Sequence, residues 1–276
     1  MQTEYTIALT IAGSDSGGGA GIQADLKTFS ALGVYGASVI TAITSQNTLG
    51  VQAVENLPSV CVASQLESVL SDLPVRAIKI GMVGDAAAIR AIAAALYKYK
   101  PQFVVLDPVM VAKSGDALLQ AEALDTLRAE LLPLASIITP NTPEAEALLG
   151  LSNLSLQDWG KINSIDEMKN AAAALLAMGP QAVYIKGGHI AGDACDILAM
   201  KNGFREFSAP RLDARHTHGT GCTLSSAIAA FLARGFPLEE AAERAKQYVF
   251  EAIRCALPLG QGIGPVHHFH ALWGDE

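Results

Sequence analysis

Ile7-Ala8-Leu9-Thr10-Ile11-Ala12 followed by Gly13-Ser14-Asp15-Ser16-Gly17-Gly18-Gly19-Ala20-Gly21 is the stretch that decides the fold. Six residues with one polar member read as a buried strand, and the glycines read as a loop. Behind the loop, Ile22, Leu26, Phe29 and Leu32 recur at helical spacing. Strand, glycine loop and helix in that order form the first half of a βα unit. Asp25 falls inside the apolar stripe of that helix, where an unpaired carboxylate is costly. Its partner is either the N–H groups of the loop or a ligand.

The same alternation continues along the chain. Strands are expected at Gly36–Thr44, Ala77–Ile80, Phe103–Leu106, Ser136–Thr139 and Val183–Lys186, with helices at Val60–Leu73, Asp85–Lys98, Ala121–Leu132 and Ser164–Met178. Asp196–Met200 and Phe204–Phe207 flank Asn202-Gly203, a strong hairpin signal. Two further helices run to Arg234 and from Leu238 to Cys255. The predicted architecture is a three-layer α/β sandwich, a mainly parallel sheet with helices on both faces, in one domain over residues 1–276. Residues 151–163 read as a polar surface insertion, and 111–116 as either a fixed loop or a flap.

The chain has 276 residues, half of them hydrophobic, and a formal net charge of −8. No basic cluster stands out, which argues against nucleic acid and anionic membranes as partners. No apolar run reaches the roughly 20 residues of a spanning helix. The four cysteines Cys61, Cys195, Cys222 and Cys255 are scattered, as in a protein of the reducing cytoplasm.

Polar residues collect just after the predicted strands: Gly13–Gly21, Gln46, Asp107, Asn141 with Glu144, and Lys186. Open α/β sheets bind ligands at that rim. Gln46 offers a donor and an acceptor together, which suits a planar heterocycle. Asp107 and Glu144 can hold Mg²⁺ through water, and Lys186 can neutralise phosphate. Glu144 also has a purely structural explanation, because Thr142 is expected to cap a helix whose positive end Glu144 favours. His218-Gly219-Thr220-Gly221-Cys222 is a glycine turn opening a helix, with free N–H groups suited to an anion. Together these meet the needs of phosphoryl transfer. Neither G-x-G-x-x-G at the right place nor a Walker motif is present. A cysteine at a helix N-terminus has its thiolate favoured, although ATP's charge beside it opposes the shift.

The chain resembles the hydroxymethylpyrimidine/phosphomethylpyrimidine kinase family of the ribokinase-like superfamily. The resemblance rests on Ile11–Asp25, Gln46-Asn47-Thr48, Lys79-Ile80-Gly81-Met82, Leu106–Met110, Thr139-Pro140-Asn141, Lys186–His189 and His216–Thr223, together with the tail Gly262–His270. It implies a kinase using ATP and Mg²⁺ in thiamine biosynthesis. The substrates would be 4-amino-5-hydroxymethyl-2-methylpyrimidine and its monophosphate. Gly13, Asp25, Gln46, Met82 and Val109 would line the pyrimidine pocket. Asn141, Lys186 and Thr220 would meet ATP, with Asp107 and Glu144 near Mg²⁺. The N–H groups of Gly219, Thr220, Gly221 and Cys222 would form the anion hole. Cys222 stands where many ribokinase-like kinases carry an aspartate base. The family tail explains His267, His268 and His270 as packing rather than as a metal cluster, and family analogy implies a homodimer. A pyridoxal or pyridoxine kinase of the same superfamily, or a catalytically silent binding protein, are the alternatives.

Overall fold

The computed structural model describes residues 5–110, 121–151, 161–188, 190 and 192–273. The expected loop at 111–116 and most of the expected insertion at 151–163 lie outside them. Nine strands form one sheet in the order β3-β2-β1-β4-β5-β6-β7-β8-β9. These are β1 (Ile7–Asp15), β2 (Tyr35–Asn47), β3 (Gly50–Asn56), β4 (Ala77–Ile80), β5 (Phe103–Leu106), β6 (Ile137–Ile138), β7 (Ala182–Ile185), β8 (Ala194–Met200) and β9 (Gly203–Ala209). From β2 to β7 all pairings are parallel, and β3, β8 and β9 add antiparallel edges. The helices are α1 (Gly21–Ala31), α2 (Ser59–Leu70), α3 (Ala86–Tyr99), α4 (Ala121–Thr126), α5 (Thr142–Leu148), α6 (Ile165–Leu176), α7 (Thr220–Ala233) and α8 (Leu238–Arg254).

The parallel strands β1, β4, β5, β6 and β7 are mostly apolar and almost wholly buried, on both faces of the sheet. Leu9, Ile11, Ile78 and Ile80 pack with Ile89 and Ile92 of α3, and Met168 and Leu175 of α6 belong to the same core. On the opposite face, Ala8, Ala77 and Val105 pack against α7 and α8. This is the predicted sandwich. Asp85 caps α3 as its place in the sequence suggests, accepting from the Ala88 N–H at 2.8 Å.

Four local expectations are corrected. β1 does not stop at Ala12; it continues to Asp15 through a bulge between Ala12 and Ser14. Gln46 therefore lies inside β2 rather than beyond it, because β2 is prolonged by the unforeseen hairpin partner β3. Most of β3 is exposed, so it lacks the buried alternation that marks a strand. Helix α4 ends at Thr126, and the chain continues as a π turn and a 3₁₀ turn to Leu134, where Pro133 supplies no N–H for an α-helical ladder. Finally, α7 buries every residue from Thr223 to Ala233 rather than one stripe. Its alanines and serines are small enough to pack all round between the sheet, α1 and α8.

Candidate active site

The C-terminal ends of the parallel strands open into a cavity of about 690 Å³. Gly13, Gln46, Met82 and Val109 line one part of it. Asp107, Asn141, Glu144, Lys186 and Gly219–Cys222 line another. Twelve of the thirteen candidate site residues read from the sequence thus line one cavity.

Asp25 is the exception. It is fully buried and does not line the cavity. Its Oδ2 accepts from Thr10 Oγ1 at 2.5 Å and from Lys79 Nζ at 2.8 Å, and its Oδ1 accepts from Ser226 Oγ at 2.5 Å. Side chains, not loop N–H groups, hold it. This corrects its placement in the pyrimidine pocket: the carboxylate lies beneath the wall and ties four elements together.

Gly13 sits at the bulge of β1, where an added Cβ would approach Met82 Sδ to 3.1 Å. Met82 is fixed in turn, since its carbonyl accepts from Thr41 Oγ1 at 2.6 Å. Glycine at 13 thus lets the β1 backbone and the Met82 thioether meet as one apolar surface.

In the other part of the cavity, Lys186 Nζ donates to Asp107 Oδ1 at 2.9 Å and lies 3.5 Å from Glu144 Oε2. Asn141, not Thr142, is the N-cap of α5. Its Oδ1 accepts from the Glu144 N–H at 2.8 Å, and Glu144 Oε2 accepts from the Asn141 N–H at 2.7 Å. This reciprocal pair is a capping box, and it needs the short carboxamide at the position before Thr142. Burial pushes the Glu144 carboxyl up to about 7; Lys186 opposes this and the Asp107 anion adds to it. Burial also acts on Asp107, but Lys186 and Lys79 hold its carboxyl below the usual value. Lys186 is held above its usual value against burial by both acids.

The N-cap of helix α7 is Gly219, which has φ 79°. A Cβ there would fall 1.8 Å from the Gly19 carbonyl oxygen, so only glycine lets the first loop and the helix start touch. At Gly221 a Cβ would lie 3.2 Å from Lys186 Nζ. The missing side chain keeps the first-turn amides, which a helix leaves unpaired, beside the lysine. The Cys222 thiol does not drop as its helix position suggested. Desolvation dominates and, despite Lys79 and the Gly21 N–H, pushes it up to about 11.

Three features of this region escaped the sequence reading. The Lys79–Asp25 pair was one, although a lysine inside Ala77-Ile78-Lys79-Ile80 and an aspartate inside an apolar helix stripe each required a partner. A second is Asp196, whose oxygens accept from Tyr184 Oη, the Gly187 N–H and Lys246 Nζ. The third is His218, with Nε2 3.0 Å from Asp15 Oδ2 and 3.2 Å from Gln46 Nε2. The tail histidines pack: His268 meets Thr223 Oγ1, His267 lies against Trp273, and His270 against Tyr248.

The phosphomethylpyrimidine kinase family model matches residues 15–267. The chain belongs to this family. The hydroxymethylpyrimidine/phosphomethylpyrimidine kinase of Rhizobium meliloti is 54% identical over 272 residues, 98% of this chain and 99% of that protein. The thiamine biosynthesis bifunctional protein ThiED of Geobacter sulfurreducens is 52% identical, and the match covers 95% of this chain but 52% of ThiED, about half its length. The pyridoxal kinase of Staphylococcus aureus, solved with AMP-PCP and pyridoxal, aligns at TM-score 0.87 and 35% identity, covering 98% of this kinase and 96% of that chain. The ribokinase-like resemblance read from the motifs is therefore that of a kinase in fold and family, and the glycine turn at 219–222 sits at the start of this kinase's helix α7. Among the described residues no helix is long and apolar enough to cross a membrane.

Proposed function

We propose that this chain is a kinase of thiamine biosynthesis that transfers the γ-phosphoryl group of ATP to 4-amino-5-hydroxymethyl-2-methylpyrimidine, and then a second phosphoryl group to the monophosphate. The observation that carries the reading is one cavity with a heterocycle-sized polar and apolar wall at Gln46, Met82 and Val109, and a cation beside a helix N-terminus at Lys186 and Gly219–Cys222. The relatives' names supply the substrate class.

In this reading Gln46 meets the ring edge, while Gly13, Met82 and Val109 hold the ring faces. Asn141, Lys186 and Thr220 meet the phosphates of ATP. The first-turn amides of Gly219–Cys222 receive the phosphoryl oxygens, where the helix dipole favours negative charge. Cys222 stands beside the position of the attacking hydroxyl as its proton acceptor.

Asp107 and Glu144 fit Mg²⁺. They are hard oxygen donors sharing one lysine, and the Glu144 carboxyl, raised to about 7, has less positive charge around it than it needs to ionise fully. When bound, the ion would neutralise phosphate charge and order the β- and γ-phosphates.

The nine-stranded sheet supports reading residues 1–276 as one domain. Exposed Tyr35, Ile43, Leu49 and Val54 on the β2–β3 edge support a homodimer.

Pyridoxal is the second substrate to weigh, because the aligned Staphylococcus aureus kinase was solved with it. An ATP-coupled assay with the hydroxymethylpyrimidine, its monophosphate and pyridoxal side by side tests the reading. Turnover of both pyrimidines is the expected result. Turnover of pyridoxal alone would overturn it, and so would ATP hydrolysis with no acceptor phosphorylated.

A further inference from the structure

His218 carries a contradiction that its neighbours resolve. Its Nε2 faces Asp15 Oδ2 at 3.0 Å and the Gln46 amide nitrogen at 3.2 Å. Asp15 is almost wholly buried, and its oxygens also accept the backbone N–H groups of Gly17, Gly19 and Ala20. Those contacts and His218 hold its carboxyl below the usual value against burial. An anion at 3.0 Å requires a proton on His218 Nε2. A protonated Nε2 cannot also accept from an amide NH₂.

A second conflict lies on the other side of the same amide. Thr44 Oγ1 is within donating distance of the Ser14 carbonyl, at 3.0 Å, and of Gln46 Oε1, at 3.2 Å. One hydroxyl proton cannot serve both. The oxygen and nitrogen of a carboxamide have nearly the same shape, so the partners decide which is which. Turning the amide over removes both conflicts at once. His218 Nε2–H is then shared by Asp15 Oδ2 and Gln46 Oε1. The Gln46 NH₂ donates to Thr44 Oγ1, and Thr44 donates to Ser14.

The histidine ring has little freedom to leave this arrangement. A Cβ on Gly19 would lie 2.4 Å from its Cδ2 and 3.1 Å from Pro265 Cβ, so ring, glycine and proline are in close contact. The His218 backbone is also pinned, its N–H to Gly264 O at 3.0 Å and its carbonyl to the Val266 N–H at 3.2 Å.

We infer that His218, held by Asp15, is a positioning residue that fixes the Gln46 amide with its oxygen toward the histidine, leaving one N–H and one lone pair, in fixed order, for the edge of a bound heterocycle. A ligand edge with an exocyclic amine beside a ring nitrogen fits that order: the amine donates to Oε1 and the ring nitrogen accepts from Nε2–H. An edge that presents two donors or two acceptors side by side does not. This rests on the reading that Gln46 meets the substrate ring. Because His218 immediately precedes Gly219, the same side chain joins ring recognition to the start of the anion cradle.

The test combines kinetics with spectroscopy. His218→Phe fills the slot without an N–H, and His218→Gln returns an N–H at about the reach of Nε2. His218→Phe is expected to raise the pyrimidine KM roughly five- to tenfold, the worth of one hydrogen bond, with the ATP KM nearly unchanged. His218→Gln should recover most of that loss. Gln46→Ala should raise the pyrimidine KM, and the double variant should be no worse than Gln46→Ala alone, since His218 acts through the amide. A double variant whose losses multiply overturns the inference. So does His218→Gln behaving as His218→Phe, or a parallel rise in the ATP KM. If Gln46→Ala leaves the pyrimidine KM unchanged, the reading of Gln46 as the ring contact has failed instead. The ¹⁵N spectrum of the unsubstituted protein then still decides the positioning: a His218 ring protonated at Nε2 supports it, and the Nδ1–H tautomer overturns it.

Discussion

Cys222 occupies the first turn of α7, where the positive end of a helix favours a thiolate. Burial beside Asp25 and Asp107 outweighs that field, and the thiol is pushed up to about 11. A base with so high a value is almost entirely protonated at neutral pH, but it is strong when ionised. Two expectations follow for the proposed role. Cys222→Ala lowers kcat by about 10²- to 10⁴-fold, the usual worth of a positioned base, with a much smaller effect on the pyrimidine KM. In the unsubstituted enzyme kcat climbs with pH above neutrality as the thiolate fraction grows, and the variant lacks that limb. Steady-state kinetics over pH 6–9 check both, and an unchanged kcat removes Cys222 as the base.

At the scale of elements, α5 shows how one side chain serves both fold and site. Glu144 closes the capping box with Asn141 and faces Lys186. Its carboxyl is raised from about 4.5 to about 7 by burial. Between those values the folded chain keeps a proton that the unfolded chain has lost, so this group makes stability fall as pH rises through that window. The buried His268 imidazole, pushed down to about 3, acts in the opposite direction below its ordinary value of 6.5. The comparison is therefore with a variant. Glu144→Gln keeps an acceptor for the Asn141 N–H and removes the buried charge. Measured without nucleotide or divalent cation, its Tm should exceed that of the unsubstituted protein by an amount that grows from pH 5 to pH 7.5. A gap that stays constant with pH would place the titration elsewhere.

Across the whole molecule, the Asp25 carboxylate joins α1 to β1 through Thr10, to β4 through Lys79 and to α7 through Ser226. Next to Ser226, Ser225 Oγ lies 3.3 Å from Asp107 Oδ2. Consecutive serines thus tie α7 to Asp25 beneath the cavity wall and to Asp107 in it, and so hold the helix whose first turn is the proposed anion cradle. Lys79 and Asp25 are both without solvent exposure. Removing one charge strands the other, so Lys79→Met is expected to cost about 3–5 kcal/mol. Lys79→Met combined with Asp25→Asn leaves no bare charge and keeps an acceptor for Ser226, so it should cost less than the single change. Urea unfolding midpoints measure this, and additive losses would show that the pair is not what holds the four elements.

The sequence alone determined the alternation of apolar strands and amphipathic helices, and therefore the layered sheet, because burial on both faces imposes continuous apolar runs. It also placed the rim residues, because glycines and polar side chains directly after such runs have no core to enter. The capping of α3 by Asp85 was legible for the same local reason. What needed the tertiary structure was everything that depends on partners distant in sequence. Asp25 and Lys79 are 54 residues apart, and each alone reads as an isolated charge in an apolar pattern. The β3 edge carries no burial pattern to read, and α7 is buried all round because it lies between the sheet and two helices. The Cys222 thiol shows the difference most directly. Its local setting at a helix start favours the thiolate, while the desolvation that raises it comes from chain segments the local sequence does not contain.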